Sequence, residues 1–380
     1  MTELATSERT PDTEGASGLL AMHAAVRLHQ LADGSWYAVN LDTRAELKTN
    51  ALGAAIIIAY AGGAAPATAL ARLRRQFRVD AHAFEKGVET LRRHGLLVKP
   101  GDPSSELARR ISDRWACHGW REAADYYLAT HDYPFIDYSS RVSFEVDAAR
   151  MRAYITEQPD LDRSKAYPPD DWTLPPTTAT PDALQQLPSS LAAVLSGAPA
   201  SAQLAREALE TLMSVTFGQL RSRSSNAEGR APSVRRTSPS GGSRHPAEGY
   251  LVTAGTPGLA DGAYHFSTRG YHLQRLTGPV PIARLLDQPD DEDAATPSAL
   301  ILLTSMFERN MYRYREPRTF RTLLLDAGHL VATLDLTAAA LGLQAVRRYD
   351  TRHDAVERLL GLDPLAEGSI CGVLIKERQC

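Results

Sequence analysis

The run RRTSPSGGSRHPAEGYLV, Arg235 to Val252, sets arginines, hydroxyls and two adjacent glycines ahead of an apolar stretch. Between Arg221 and Tyr250 there are six arginines, at 221, 223, 230, 235, 236 and 244, against two acids, Glu228 and Glu248. The local field is therefore positive in a chain of formal net charge -3, and guanidinium forks suit bidentate contact with phosphate. Ser238, Ser240 and Ser243 add hydroxyl donors. Gly241 and Gly242 permit close backbone approach and positive φ, so that successive N–H groups can converge on one anion. These residue types read as a phosphate cradle, with an ordinary exposed basic loop as the plain alternative. The chain contains neither GxxxxGK[ST] nor GxGxxG, so the turn is not a Walker loop or a dinucleotide fingerprint.

The elements that must position this turn follow from pattern. At 380 residues and 43% hydrophobic content, the chain has enough apolar surface for two or more domains. Its charge balance gives no reason to expect nucleic acid or an anionic membrane as partner. Three scattered cysteines, Cys117, Cys371 and Cys380, lack CxxC spacing, which points to a reducing compartment and no zinc site. The adjacent Cys117 and His118 have no further ligands near them and read as structural. No signal-peptide pattern and no run of eighteen apolar residues is present, so a soluble cytoplasmic protein is expected.

Residues 1–19 are polar and read as a flexible tail. From 20 to 100, GSWYAVNLD alternates as a strand after the Asp33-Gly34 turn. Three helices then follow, opened by Asn50, Pro66 and Asp80. In the third, Phe84, Val88 and Leu91 fall on one face, and LLVK returns as a strand. This is a winged-helix-like unit. Residues 101–181 read as a helical segment and a Pro-rich connector. From 182 to 380 the pattern is mixed. LQQLPSSLAAVLSG and AREALETLMSVTFGQLRSR read as helices, GYLVTAG, GAYHF, YHLQRL and ALILLTSM as strands, RTFRTLLLDAGHLVATLDLTAAALGL as a long apolar helix, and CGVLIKE as a closing strand. The acidic loop Asp287 to Pro297 reads as solvated.

Two resemblances add to this reading. LADGSWYAVNLDTRAELKTN, the alanine-rich helix and FRVDAHAFEKGVETLRRHGLLV resemble PqqD-like peptide-recognition domains. That resemblance implies that a leader peptide adds as a strand to a sheet edge beside the third helix. RTSPSGGSRHPAEGYLV, DGAYHFSTRGYHLQRL and FRTLLLDAGHLVATLDLTAAALGLQAV, in this order, closely resemble SagB-type dehydrogenases of the nitroreductase-like flavoproteins, the branch of peptide maturation dehydrogenases. The fold class implied is α+β, a nitroreductase-like α/β/α domain preceded by the small winged-helix-like domain. The cofactor implied is FMN, bound between the subunits of a homodimer that pairs through the long helix. The partner implied is a ribosomal precursor peptide, with partner modifying enzymes acting on the same peptide.

Carried over residue by residue, Ser238, Ser240, Gly241, Gly242 and Arg244 match the flavin-holding turn, with Arg236 beside it. Arg221 stands where an early arginine approaches FMN, Gly342 and Leu343 match the LGL segment at the isoalloxazine, and the resemblance implies Arg347 or Arg348 as a second phosphate partner. Azoline-oxidising members carry a Lys-Tyr pair where this chain reads Arg313-Tyr314. Arginine stays protonated and is a poor base, which leaves Tyr314, between Arg313 and Arg315, to take or relay a proton. The implied function is FMN-dependent oxidation of a peptide residue or heterocycle, azoline to azole being the best-known case. Reduction of dehydroamino acids and a flavin-free recognition scaffold are the alternatives, and a DNA-binding regulator is a distant third.

Overall fold

The structure is a computed structural model and describes residues 18–134, 139–168, 173–174, 202–223, 232–289 and 297–378. The helix expected over 184–197 and Cys380 lie outside these residues. Two compact units divide the chain, Met1–Phe135 and Ile136–Cys380.

In the first unit, β1 (Ala21–Met22) pairs with β5 (Leu97–Val98), and β2 (Val26–Gln30), β3 (Trp36–Asn40) and β4 (Glu46–Thr49) form an antiparallel meander. Between them run α1 (Ala51–Ala59), α2 (Pro66–Leu73) and α3 (Ala81–Arg93). Asn50 caps α1 by accepting the Gly53 N–H, and Asp80 caps α3 by accepting that of Ala83. Ile56, Ile57, Tyr60, Phe84, Val88 and Leu91 meet in one core. The sequence showed one strand where the structure has three in the meander. VRLHQ and ELKT are half-exposed and polar, and their pairing, not their pattern, makes them strands. The segment expected as a connector is divided. Its helices α4 (Pro103–Ala116) and α5 (Arg121–Thr130) belong to the first unit, tied by Arg27 to Asp125 and by His23 to Ser104. Its later helix α6 (Arg141–Glu157) belongs to the second.

The second unit is built on a seven-stranded antiparallel sheet in the order β13-β14-β12-β9-β10-β11-β6. These strands are β6 (Thr173–Leu174), β9 (Ala247–Ala254), β10 (Gly262–Phe266), β11 (Leu273–Thr277), β12 (Ser298–Met306), β13 (Leu343–Arg348) and β14 (Glu367–Glu377). Alternation gives the sheet two apolar faces. Leu251, Ile301, Leu303 and Val373 pack against α7 (Arg206–Phe217) and α9 (Thr319–Ala340). Val252, Leu300, Leu302 and Leu374 pack with Ile282, Leu285 and Val356 on the opposite face, where α10 (His353–Leu360) lies. Helices on both faces of a sheet make the unit α/β/α, and the chain as a whole is α+β. The 22-residue α9 is long and apolar enough to span a bilayer by length and composition. Its Leu330, Leu334 and Ala338 are instead buried against the sheet. A separate two-stranded ribbon, β7 (Gln219–Arg223) with β8 (Ser233–Arg236), leads into the glycine turn, and the short α8 (Phe307–Met311) follows β12.

Candidate active site

The turn between β8 and β9 is held from beneath by two helices. Thr237 donates to the Val215 carbonyl, and Ser238 Oγ donates to the Thr216 carbonyl at 3.2 Å, so the two hydroxyls satisfy carbonyls in the last turn of α7. Ser238 also meets Thr333 of α9 at 2.8 Å. Ser240 Oγ donates to Asp326 Oδ2 at 2.6 Å, and the Gly241 N–H to Asp326 Oδ1 at 3.0 Å. Asp326 is 3% exposed. Burial pushes its carboxyl above the ordinary range, although Ser240 and Gly241 donate to it. The donors that the sequence offers to an external anion are thus engaged by a carboxylate of the chain itself. Gly241 sits so close to α9 that a Cβ there would lie 2.3 Å from Thr322 Cγ2. Gly242 has φ +62°, and a Cβ there would lie 2.0 Å from Tyr314 Oη.

Behind the turn lies a cluster of buried charge. Arg244 pairs with Asp160 through Nη2 at 2.8 Å and donates from Nε to the Arg309 carbonyl. Arg163 pairs with the other oxygen of Asp160 at 2.7 Å. Arg309, 2% exposed, binds Glu248 at 2.6 Å and donates to the carbonyls of His245 and Asp162. Arg236 donates to the carbonyls of Ala247 and Arg163, while its buried Nε has no partner. Burial lowers the Arg236 guanidinium to about 10, so it stays charged at neutral pH. Burial pushes the Glu248 carboxyl up, but Arg309, His265 and Arg236 together hold it well below the ordinary range. Burial, with Arg236 adding, lowers His245 to about 3, leaving the ring neutral. Four buried guanidiniums thus stand with three buried carboxylates, Asp160, Glu248 and, at the turn itself, Asp326, a surplus of one positive charge. The neighbouring pairs Arg313–Asp147 and Lys165–Glu367 are internally balanced. Buried charge without a counter-charge is costly, so this surplus fits a bound anion.

Residues 160–167 form a strap fastened by the same cluster. Lys165 Nζ donates to Glu367 Oε2 and to Tyr250 Oη, each at 2.7 Å, Tyr250 donates to Glu367 Oε1 at 2.9 Å, and the Lys165 N–H reaches Glu248.

Beside the turn opens a cleft of about 250 Å³ whose walls include Phe144, Asp147, Met151, Arg163, Gly242 and Tyr314. Arg313 lies within it, paired to Asp147 at 2.6 Å with its guanidinium 5.0 Å from the Tyr314 ring centroid. The structure therefore brings Arg313 and Tyr314 to Gly242, Ser243 and Arg244, with Ser238, Ser240, Gly241 and Arg236 anchoring the turn.

The remaining expected residues lie elsewhere. Arg221 is exposed on β7, in cross-strand register with Arg235. Gly342 ends α9 with φ +72° and Leu343 is buried in the core. Arg347 is exposed and pairs with Asp335 at 2.8 Å. The stretch of α9 from Asp326 to its end spans roughly 20 Å at 1.5 Å per residue, so one chain does not bring Gly342, Leu343 and Arg347 to the turn. Sequence reading missed Asp147, Asp160, Arg163, Glu248, Arg309 and Asp326. For Asp326 a signal existed, since an acid inside an otherwise apolar helix must find donors when buried. For Asp147, Asp160 and Arg163 there was none, because they lie in the stretch that reads as a connector.

No protein-family model matches the chain. Among solved structures, it is similar to a putative nitroreductase from Anabaena variabilis, at 22% identity and a TM-score of 0.43, covering 59% of this chain and 46% of that one. It is also similar to the Escherichia coli microcin synthetase McbBCD complex with truncated pro-MccB17 bound, at 23% identity and a TM-score of 0.39, covering 47% and 65%. At these TM-scores the overlap is partial. Among curated proteins, the chain is 31% identical over 151 residues to the trifolitoxin-processing protein TfxB of Rhizobium leguminosarum bv. trifolii. That match covers 38% of this chain and 40% of TfxB's length.

Proposed function

We propose that the chain is a cytoplasmic, homodimeric FMN-dependent oxidoreductase that modifies a ribosomally made peptide. The observation that carries the flavin is the buried surplus of positive charge at the glycine turn, together with the unpartnered Nε of Arg236. Arg236, Arg244 and Arg309 would supply the field for the FMN phosphate. Ser238, Ser240, Gly241 and Gly242 would shape the backbone that approaches the cofactor. Bound flavin supplies the two-electron chemistry, and the protein supplies binding, orientation and exclusion of water. Arg313 is engaged with Asp147 and lies over Tyr314, which supports a part in positioning that ring, and the Tyr314 hydroxyl at Gly242 would hold or relay a proton.

The likeness to a trifolitoxin-processing protein supports a peptide as substrate. The first unit would recognise the leader of that peptide. Its meander leaves β2 and β4 as edges among the described residues, and an added strand needs only backbone donors and acceptors. Tethering leader recognition to the oxidoreductase unit raises the effective concentration of the segment to be modified. The favoured reaction is dehydrogenation of a residue or heterocycle of the azoline-to-azole type.

One observation favours the flavin-free scaffold instead: Asp326 already takes the donors of Ser240 and Gly241. The visible spectrum of the purified protein separates the two readings. Absorbance in the blue that is released by heat as FMN is the expected result, with Arg236→Met and Arg244→Met losing the chromophore. A colourless wild type that takes up no added FMN sinks the oxidoreductase reading.

A further inference from the structure

The arginine cluster already holds an anion of its own, the side chain of Asp160. Its Oδ1 accepts from Arg244 Nη2 at 2.8 Å and from Arg163 Nη1 at 3.2 Å, and its Oδ2 from Arg163 Nη2 at 2.7 Å and from Arg244 Nη1 at 3.3 Å. Two guanidinium forks thus close on one carboxylate, the grip that the same forks would offer a phosphate. An arginine has two edges for bidentate contact, Nη1 with Nη2 and Nε with one Nη. Asp160 fills the first edge of Arg244, and the Arg309 carbonyl takes Nε of the second. Bidentate contact between Arg244 and a further anion therefore requires one of them to give way, and the Arg309 carbonyl is fixed in α8.

Charge decides between sharing and exchange. With Asp160 in place, four buried guanidiniums stand with the carboxylates of Asp160, Glu248 and Asp326. A phosphate monoester carries about two negative charges at neutral pH, so adding one with nothing removed leaves a buried negative excess. With Asp160 turned away, Glu248 and Asp326 remain, and the two positive charges then left unmet match the dianion. Asp160 is also the carboxylate whose backbone is least constrained. Glu248 lies within β9, held by Arg309 and His265, and Asp326 within α9, whereas Asp160 lies in neither helix nor strand, just after α6. It lines the cleft of about 250 Å³ together with Arg163 and Arg244, which gives its carboxylate room on leaving the forks.

We propose that Asp160 is a stand-in for the phosphate of the ligand: a phosphate dianion binds by taking both forks from it, and Asp160 thereby sets the affinity of the site. This rests on the flavin reading above for the identity of the ligand and adds the residue that its phosphate displaces.

The full chain is titrated with FMN, riboflavin and inorganic phosphate, with ionic strength held constant by sodium chloride. Flavin binding is read from the flavin spectrum and phosphate binding from the rise in Tm. Asp160→Asn, nearly the same shape without the charge, should bind FMN about tenfold more tightly than the wild type, because binding no longer has to open a closed pair. Riboflavin, which lacks the phosphate, should bind both proteins alike. Without ligand the variant should melt lower, since two guanidiniums have lost their counter-charge, and phosphate should raise its Tm more than that of the wild type. The displacement itself is read in the wild type, whose Leu161 N–H donates to Asp160 Oδ1 at 2.9 Å. Hydrogen exchange of that amide should quicken when FMN or phosphate is bound, a result that needs no folded variant. Equal FMN affinity in the two proteins, weaker FMN binding by a folded variant, or Leu161 exchange that is unchanged or slower in the loaded wild type overturns the proposal. If neither protein takes up FMN, the flavin reading is lost. The proposal then stands if phosphate stabilises Asp160→Asn more than the wild type, and falls if it does not.

Discussion

At the scale of single residues, the site is defined by atoms that have no room to move. Gly242 combines positive φ with a contact that only a hydrogen can make against Tyr314 Oη. Gly242→Ala should therefore displace the tyrosine ring and destabilise the protein by about 1–3 kcal/mol. The measurement is a urea melt read by tyrosine fluorescence, and a variant as stable as the wild type would contradict this geometry. His245 gives a pH dependence whose sign can be worked out. Its folded value, about 3, lies below the ordinary 6.5, so below pH 6.5 the unfolded chain takes up a proton that the folded chain refuses. Stability is thus intact above pH 6.5 and drains away as pH falls toward 3, by a few kcal/mol. His245→Gln, which cannot titrate, should show a smaller drop in Tm between pH 7 and pH 4.5 than the wild type. Equal drops would show that the ring is not held neutral.

At the scale of elements, the strap over residues 160–167 depends on ion pairs more than on apolar packing. Lys165, largely covered, meets the buried carboxylate of Glu367, which Tyr250 and Thr304 also donate to. Removing one member leaves a buried charge uncompensated. Lys165→Met should cost about 3–5 kcal/mol. The double variant Lys165→Met with Glu367→Gln should recover much of that loss, because neither partner is then ionised. A double variant no more stable than the single one would mean that the strap is held by its other contacts. The stretch 101–181 reads as a helical segment and Pro-rich connector, and its residues 160–163 become an element of the site only because Arg244, Arg236 and Arg309 lie where their carboxylate and carbonyls can reach them.

At the scale of the whole molecule, α9 serves two surfaces. Its Leu330, Leu334 and Ala338 are in the core, whereas Phe320, Leu324, Leu325 and Leu336 are exposed. An apolar face of this extent fits the proposed pairing of two copies. Leu325, 63% exposed in the single chain, should tolerate Leu325→Asp without loss of fold. The variant should run as a monomer in light scattering where the wild type runs as a dimer. A wild type that is monomeric at micromolar concentration would remove α9 as the pairing surface.

Much of the core was legible before any coordinates. Caps at Asn50 and Asp80, the buried face of α3 and the run ALILLTSM are local signals, and local signals survive in a sequence because backbone and side-chain periods are set by covalent geometry. The three-stranded meander was not legible, since half-polar strands declare themselves only through their partners. The turn at 235–252 announced its arginines, hydroxyls and glycines, but not their assignments. That positive charge gathers at this turn follows from the order of residues alone. That Asp326 takes the turn's donors, that Asp160 and Glu248 pair with buried guanidiniums, and that Asp147 meets Arg313 beside Tyr314 are set by packing. The reason is physical: a charge pattern fixes how much charge a segment carries, whereas which charge remains unmet depends on partners far away in the chain, whose distances only packing sets.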